Sequence, residues 1–167
     1  MEAGNLKESG GFHPGEHDHE RCVAGALTAA AALCRGRGAR LTPLRQRVLE
    51  LVWGRHGPVG AYAVLDALRA EGRSAAPPTV YRALDFLVGQ GLVHRIESLN
   101  AFVGCPTPER PHTGQFLICD RCGTVAEQRD LTVVDALARS CAGVGFAPRQ
   151  AMIEIHGACP GCRNDDG

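Results

Sequence analysis

Two cysteine pairs of identical spacing lie near the C-terminus of this 167-residue chain, at Cys119-Asp-Arg-Cys122 and Cys159-Pro-Gly-Cys162. Structural zinc sites in proteins are closed and tetrahedral, and four cysteine thiolates are one of their standard ligand sets. The segment between the pairs is long enough to hold strands and a helix, so one metal ion would join distant parts of a small domain. We therefore predict a structural zinc site formed by Cys119, Cys122, Cys159 and Cys162.

Eight cysteines could also indicate a disulfide-rich secreted protein. However, the first residues contain no basic start followed by an apolar stretch, and no apolar run approaches the length of a membrane span. We expect a cytoplasmic protein, in which Cys-x-x-Cys pairs bind metal or carry out redox chemistry. Thioredoxin-like chemistry is the alternative for one pair alone, and the second pair favours zinc. The other unassigned cysteines, Cys22, Cys34 and Cys141, are expected to be small core or helix-face residues.

The charges are unevenly distributed, although 18 basic and 18 acidic residues balance over the chain. From Arg35 to Arg95, ten arginines stand against four acidic residues, which is a net charge of +6 (10 − 4). The segments on either side are slightly negative. A basic module in a neutral chain favours contact with a polyanion such as nucleic acid.

The basic segment belongs to a predicted winged helix-turn-helix domain at residues 20–104, after a mobile leader at residues 1–19. Proline, glycine and apolar spacing predict four helices, at residues 20–35, 43–56, 62–70 and 77–91. Short strands at residues 92–96 and 101–104 then form a hairpin, the wing. Helices followed by a hairpin in this order are typical of DNA-binding domains.

The fourth helix is the one that we expect to enter a major groove of double-stranded DNA. Its apolar residues recur at the spacing of a buried stripe: Val80, Leu84 and Leu87. Its other faces carry side chains that we expect to be mostly exposed: Thr79, Tyr81, Arg82 and Asp85. Arg82 is the candidate base reader, because an arginine pairs bidentately with guanine. Arg40 and Arg45 flank the Thr42-Pro43 helix start and suit phosphate contacts.

A small C-terminal α/β domain is predicted at residues 114–163, after a linker at residues 105–113 and before a tail at residues 164–167. Its strands are expected at residues 115–118, 124–126 and 150–156. The helix between them, at residues 131–141, has an apolar face: Leu131, Val134, Leu137 and Ala138. The predicted fold class is α+β, with a winged helix-turn-helix domain and a small C-terminal domain stapled by zinc.

A second, looser set of possible zinc ligands lies around the linker: His94, Cys105, His112 and Glu127. Two imidazoles, a thiolate and a carboxylate suit four-coordinate zinc, and ligands drawn from both domains suit a sensor. The alternative is that His94 is a surface residue of the wing, Cys105 a small buried residue and Glu127 a solvated charge. His156, just before the second cysteine pair, is expected to have a core or second-sphere role.

Several segments resemble the Fur family of metal-responsive repressors, and in particular its zinc-sensing branch. The similar segments are Arg40-Leu-Thr-Pro-Leu-Arg45, the helix Pro77–Leu87, and the stretches Gly91–His94, Ile118–Gly123 and Glu154–Cys159. They extend over roughly residues 20–163 and do not include the leader.

The resemblance implies two zinc ions per chain, a structural ion on the four paired cysteines and a regulatory ion on His94, Cys105, His112 and Glu127. It also implies DNA contacts by Tyr62 and Arg82, dimerisation through the C-terminal domain, and salt bridges of Asp66 and Arg69 between paired dimers on one operator. Iron-sensing members carry a His-His-rich segment before the first cysteine pair, where this chain has Arg110-Pro-His112. The thiolate of Cys105 also favours zinc over iron(II).

The resemblance implies a homodimeric, zinc-dependent repressor of zinc-uptake genes, for which we expect no enzymatic activity, no small-molecule substrate and no membrane partner. An iron or peroxide sensor of the same family is the first alternative. A zinc hydrolase with Glu127 as base would need an open coordination position, which four protein ligands do not leave. A zinc-stapled adaptor that binds only protein is the remaining alternative.

Overall fold

The computed structural model describes residues 19–55, 57–110, 112–149 and 151–164, which fall into two compact units divided between Arg110 and His112. The predicted leader up to residue 18 and the tail beyond Asn164 lie outside the described residues, as does His56. Within the described ranges, every helix is too short or too polar to cross a bilayer.

The N-terminal unit contains four helices: α1 (His19–Gly36), α2 (Pro43–Trp53), α3 (Ala61–Ala70) and α4 (Pro77–Gly89). Thr42 caps α2 by accepting a hydrogen bond from the Arg45 backbone N–H, and proline at the first helical position suits the start. The prediction that α2 continues to His56 is wrong. The helix ends at Trp53 because Gly54, a poor helix former, follows and bonds back to the Glu50 carbonyl.

Helix α4 begins at the predicted prolines and ends at Gly89, with Gln90 as its C-cap. Gly91 follows with a φ of 67°, the left-handed conformation that commonly terminates a helix and that glycine adopts at little cost. The predicted end of this helix at residue 91 is therefore two residues too late.

Three short antiparallel strands complete this unit: β1 (Val59–Gly60), β2 (Val93–Ile96) and β3 (Ala101–Gly104), in the order β1-β3-β2. Strands β2 and β3 are the predicted wing. Strand β1 was not predicted, because two residues are too few to show the alternation on which strand prediction depends.

The core of the N-terminal unit lies between the helices and the inner side of the wing. The predicted stripe of α4 is confirmed, since Val80, Leu84 and Leu87 are fully buried. They pack in one apolar cluster with residues of α2, α3 and the wing, including Leu49, Leu65 and Phe102. This packing holds α4 as a rigid element whose outer faces remain available.

The C-terminal unit is a three-stranded sheet with two helices: β4 (Gly114–Cys119), β5 (Val125–Gln128), α5 (Leu131–Gly143), β6 (Met152–Gly157) and α6 (Pro160–Asn164). The strand order is β5-β4-β6, with β4 antiparallel to β5 and parallel to β6. Parallel pairing requires a crossover, which α5 supplies. Helix α6 was not predicted, and the α+β fold class is confirmed.

Helix α5 has the predicted apolar face, but the described residues leave that face uncovered. None of its thirteen residues is buried. Leu131 is 77% exposed, and Leu137 is also exposed. Beyond the helix, Val144, Phe146 and Ile155 add further exposed apolar side chains. The C-terminal unit therefore has an extensive uncovered apolar surface, which isolated soluble domains seldom expose.

Candidate metal centres and nucleic-acid interface

The four paired cysteines converge at one end of the C-terminal sheet. Cys119 ends β4 and Cys159 follows β6, and the parallel register places Cys119 opposite Gly157. Gly123 turns the chain after the first pair with a φ of 71°. All four Sγ atoms lie within 4.8 Å of one another, and those of Cys122 and Cys159 are 3.8 Å apart. Tetrahedral zinc with Zn–S bonds of about 2.3 Å requires sulfur atoms about 3.8 Å apart, so the arrangement fits zinc.

Hydrogen bonds favour the thiolate form at the first pair. Those from the backbone of Cys122 and Cys159 lower the pKa of Cys119 to about 6, and the Cys159 N–H lies 3.3 Å from the Cys119 sulfur. Hydrogen bonding with Thr124 lowers the pKa of Cys122. The pKa of Cys162, in contrast, is raised to about 12, first by its hydrogen bond with Cys159 and also by the neighbouring cysteines. Four thiolates this close repel one another, and a dication would relieve that repulsion.

Two contacts outside the sulfur cluster connect the cysteine pairs. Arg121 donates a hydrogen bond of 2.9 Å to the carbonyl oxygen of Cys162, which joins the first pair to the second. Asp120 lies 2.9 Å from Nδ1 of His156 on β6. His156 is 40% exposed at its side chain and is therefore not a core residue. Its contact with Asp120, which lies between the two cysteines of the first pair, fits the second-sphere alternative.

The wing holds His94 and Cys105 of the second predicted ligand set. His94 pairs with Val103, and the Cys105 N–H donates to the Leu92 carbonyl oxygen at 3.0 Å, which extends the pairing past the end of β3. Opposed residues of an antiparallel pair share a face, as do alternate residues of one strand. His94 and Cys105 therefore lie on the same face as diagonal neighbours, and Cys105 is buried.

The C-terminal unit holds the other two residues of that set. Nε2 of His112 lies 2.8 Å from Oε1 of Glu127, and the Glu127 side chain is only 10% exposed. Glu127 is thus not the solvated charge of the alternative interpretation. Burial raises the pKa of its carboxyl group, while the nearby His112 and Arg129 oppose that shift. An imidazole and a buried carboxylate in contact are donors that suit zinc.

The outer faces of α3 and α4 carry the predicted DNA contacts. Arg82 is exposed, and Tyr62 at the start of α3 is 66% exposed. Tyr81 differs from the expectation of general exposure, since it is half-buried and packs against the helical core, and Thr79 is also half-buried. Asp66 and Arg69 lie exposed one turn apart on α3, where they suit contact with another molecule.

Two arginine side chains donate hydrogen bonds to backbone carbonyl groups at helix ends, one before α2 and the other after α4. Arg45 donates a hydrogen bond of 2.6 Å to the Arg40 carbonyl oxygen, so its side chain folds back on the start of α2, whereas Arg40 itself is exposed. Arg37 donates to the carbonyl oxygen of Gln90 at 2.6 Å. Sequence reasoning missed the role of Arg37, because a contact between residues so far apart in the chain leaves no local pattern.

The remaining cysteines occupy the predicted kinds of position. Cys34 lies in the helical core, and Cys22 and Cys141 are partly buried on α1 and α5. All eight cysteines lie within the described residues, and all are free of disulfide bonds there.

Comparison with known proteins gives consistent matches. The Ferric uptake regulator family matches residues 36–156. The zinc uptake regulation protein of Escherichia coli K12 is 47% identical over 137 residues, which cover 81% of this chain and 80% of that protein. Among solved structures, a zinc uptake regulator complexed with zinc and DNA has a TM-score of 0.82 and 44% identity, covering 86% of this chain and 97% of that chain. A holo Zur structure has a TM-score of 0.78 and 45% identity, covering 84% and 98%. With such a match over most of its length, the chain belongs to the ferric uptake regulator family.

Proposed function

We propose that this chain is a zinc-responsive, DNA-binding transcriptional repressor of zinc-uptake genes. The observation that carries the proposal is the joint placement of two features in the N-terminal unit. Helix α4 presents an exposed Arg82, and the wing that follows it presents His94 and Cys105 on one face. A DNA-reading helix and potential metal ligands thus share one rigid unit. The relatives named for zinc uptake regulation, and the related structure that contains zinc and DNA, support this function.

The second zinc site in this proposal consists of His94, Cys105, His112 and Glu127. Its ligands come from both units, so a zinc ion bound there would limit their relative orientations. An effector shifts a conformational equilibrium only as far as it prefers one state, and a metal that needs ligands from both units has such a preference. The thiolate of Cys105 selects zinc over iron(II), which favours a zinc sensor over the iron-sensing alternative. Together with the cysteine cluster, this gives two zinc ions per chain.

The DNA contacts in this proposal follow from the chemistry of the exposed residues. Arg82 reads a base edge in the major groove, and Tyr62, Thr79 and Tyr81 make further contacts with the DNA. Arg40, exposed before α2, contacts a phosphate and fixes the register without reading sequence. Arg45, in the first turn of α2, makes a second phosphate contact. Asp66 and Arg69, both exposed on α3, form ion pairs between neighbouring dimers on one operator in this proposal.

The uncovered apolar surface around α5 supports a homodimer. An amphipathic helix that buries no residue in its own chain gains stability when its apolar stripe packs against another chain. Symmetric pairing of the same surface on two copies is the commonest form of homo-oligomer. A dimer also suits the reading of two half-sites in successive turns of a DNA helix.

A zinc-titrated DNA-binding assay tests the proposal. A duplex selected from a random-sequence library by the zinc-loaded protein serves as the probe, and fluorescence anisotropy gives the affinity as zinc or iron(II) is added. We expect zinc to tighten binding and iron(II) to have little effect. Cys105→Ser should retain its structural zinc and lose the response. Cys22→Ser, which changes a cysteine outside both ligand sets, should respond like the parent. Equal DNA binding at all zinc concentrations would refute the proposal.

A further inference from the structure

Trp53 lies with its indole ring against Gly104, the last residue of β3. Trp53 is the only tryptophan in the chain and the last residue of α2. A Cβ atom on Gly104 would lie 2.7 Å from Cδ2 of the ring and still closer to Cε2 and Nε1. Gly104 is not among the glycines with positive φ. The indole, and not the backbone conformation, therefore requires glycine at this position.

The ring meets the wing on the face opposite to the wing's own two proposed zinc ligands, His94 and Cys105. Gly104 pairs with Val93, and a Cβ atom on Gly104 would point at the indole, so the ring lies on the face of the hairpin that Gly104 and Val93 share. Cys105 is the next residue along, and side chains alternate between faces along an extended strand. Trp53 thus packs behind the backbone from which the Cys105 side chain projects toward the other face.

The backbone of Cys105 has two evident restraints. One is the hydrogen bond from its N–H to the Leu92 carbonyl oxygen, at 3.0 Å. The other is the seating of the preceding residue, Gly104, on the indole. The hydrogen bond sets the distance between the strands, while the ring limits movement of the strand end perpendicular to the sheet. Together they restrain the backbone from which the Cys105 side chain projects.

We propose that Trp53 is a positioning residue for the regulatory zinc site. Glycine at position 104 allows the indole ring to pack against the end of β3, and this packing holds the backbone of Cys105 where its thiolate can bind zinc. This inference rests on the proposed function, since it assumes that Cys105 binds zinc. Metal–ligand distances tolerate deviations of only about 0.2 Å, so a small displacement of the strand end weakens binding. Loss of a group that orients a metal ligand typically lowers metal affinity by about 10- to 100-fold.

The test measures the affinity for the second zinc ion by competition with a chromophoric chelator, in full-length protein that retains its structural zinc. Gly104→Ala should weaken the second site by about 10- to 100-fold and leave the structural zinc in place. Gly60→Ala is the matched control, because it adds the same methyl group to the same sheet with nothing within 4 Å and no positive φ. It should bind the second zinc like the parent.

A double variant isolates the contact itself. In Trp53→Phe/Gly104→Ala the smaller ring leaves room for the methyl group, so the second-site affinity should recover toward that of the parent. The combined effect should be smaller than the sum of the single effects, which is the signature of two groups in contact. Zinc binding at the second site should also change Trp53 fluorescence in the parent and leave it unchanged in Cys105→Ser.

The outcomes separate this inference from the proposed function. If the parent binds no second zinc ion, the proposed function fails, and the inference fails with it. If the parent binds it and Gly104→Ala binds it equally well, or if the two substitutions have additive effects, only the positioning role is overturned. Should Gly104→Ala fail to fold, Trp53→Phe alone carries the test. A folded Trp53→Phe variant with unchanged second-site affinity would then overturn the inference.

Discussion

The guanidinium carbon of Arg45 lies 3.6 Å from the centroid of the Phe86 ring. The contact joins the first turn of α2 to α4, and the same guanidinium donates a hydrogen bond to the Arg40 carbonyl oxygen. Cations attract the face of an aromatic ring, and this guanidinium is pre-oriented for that interaction. Arg45 therefore stabilises the arrangement of the two helices, in addition to any contact that it makes with a phosphate group.

Replacing Arg45 by Ala should lower the free energy of unfolding of the N-terminal unit by about 0.5–2 kcal/mol, the range of cation–π contacts. Urea denaturation of the protein with its structural zinc in place would measure the change. Arg40→Ala is the control, because the Arg40 side chain is exposed and only its carbonyl takes part in the contact. Equal stability of Arg45→Ala and the parent would show that the ring contact contributes nothing.

Removing a ligand of the cysteine cluster should unfold the C-terminal unit and abolish the dimer. In Cys162→Ser the three remaining thiols bind zinc less tightly, and the free energy of metal binding to such a site is part of the folding free energy. Zinc analysis would measure the loss of the metal, circular dichroism the loss of folded structure, and sedimentation velocity the loss of the dimer. Cys141→Ser, outside the cluster, should retain its zinc. A Cys162→Ser protein with parental zinc content and melting temperature would contradict the structural role.

Much of the N-terminal unit could be predicted because its signals are local. Pro43 and the two prolines at the start of α4 mark helix starts, and the spacing of Val80, Leu84 and Leu87 determines which face is buried. Both cysteine pairs could be found for the same reason, since their ligands come in short, regular motifs. Each of these signals requires residues only a few positions apart.

The features that escaped prediction depend on contacts between distant residues. Nothing in the sequence near Trp53 indicates that its ring will meet Gly104, and nothing near Arg37 indicates that it will bond to Gln90. The apolar stripe of α5 was visible, but a stripe does not reveal whether its partner is the same chain. Strand β1 and helix α6 are too short for any periodicity to be detected.

A charge on the apolar face of α5 should dissociate the proposed dimer. Leu137→Glu would place a carboxylate in an apolar interface, where a charge without a partner is strongly unfavourable. Sedimentation equilibrium of the zinc-loaded protein should therefore give monomers at concentrations at which the parent is dimeric. Arg139→Glu alters the charge on an exposed position of the same helix. Dissociation by both variants alike would point to a general charge effect, and dissociation by neither would move the interface elsewhere.

The ion pair between Arg47 and Glu71 should stabilise the folded protein near neutral pH, and this contribution should be lost in acid. Hydrogen bonding from Arg47, whose Nη2 lies 2.6 Å from Oε1, lowers the pKa of Glu71 in the folded protein. A carboxyl group with a lowered folded-state pKa stabilises the protein above its unfolded-state value of about 4.3, and this contribution disappears as the pH falls through the folded-state pKa. The stability difference between the parent and Glu71→Gln should thus be largest near neutrality and shrink in acid. Melting temperatures across pH would test this.

Arg82 and Arg40 should differ in the kind of DNA binding that they support. Arg82→Ala should weaken binding to the selected operator by about 1–3 kcal/mol and relax the preference for one base pair, because it removes a bidentate contact with guanine. Arg40→Ala should weaken binding to operator and scrambled DNA alike and reduce the slope of log affinity against log salt by about one, because a phosphate contact releases a counterion without reading a base. Anisotropy titrations of both variants on both duplexes over a salt series would separate the two effects. If Arg82→Ala loses the same amount of binding affinity on operator and on scrambled DNA, Arg82 does not read a base, and another exposed residue of α4 must do so.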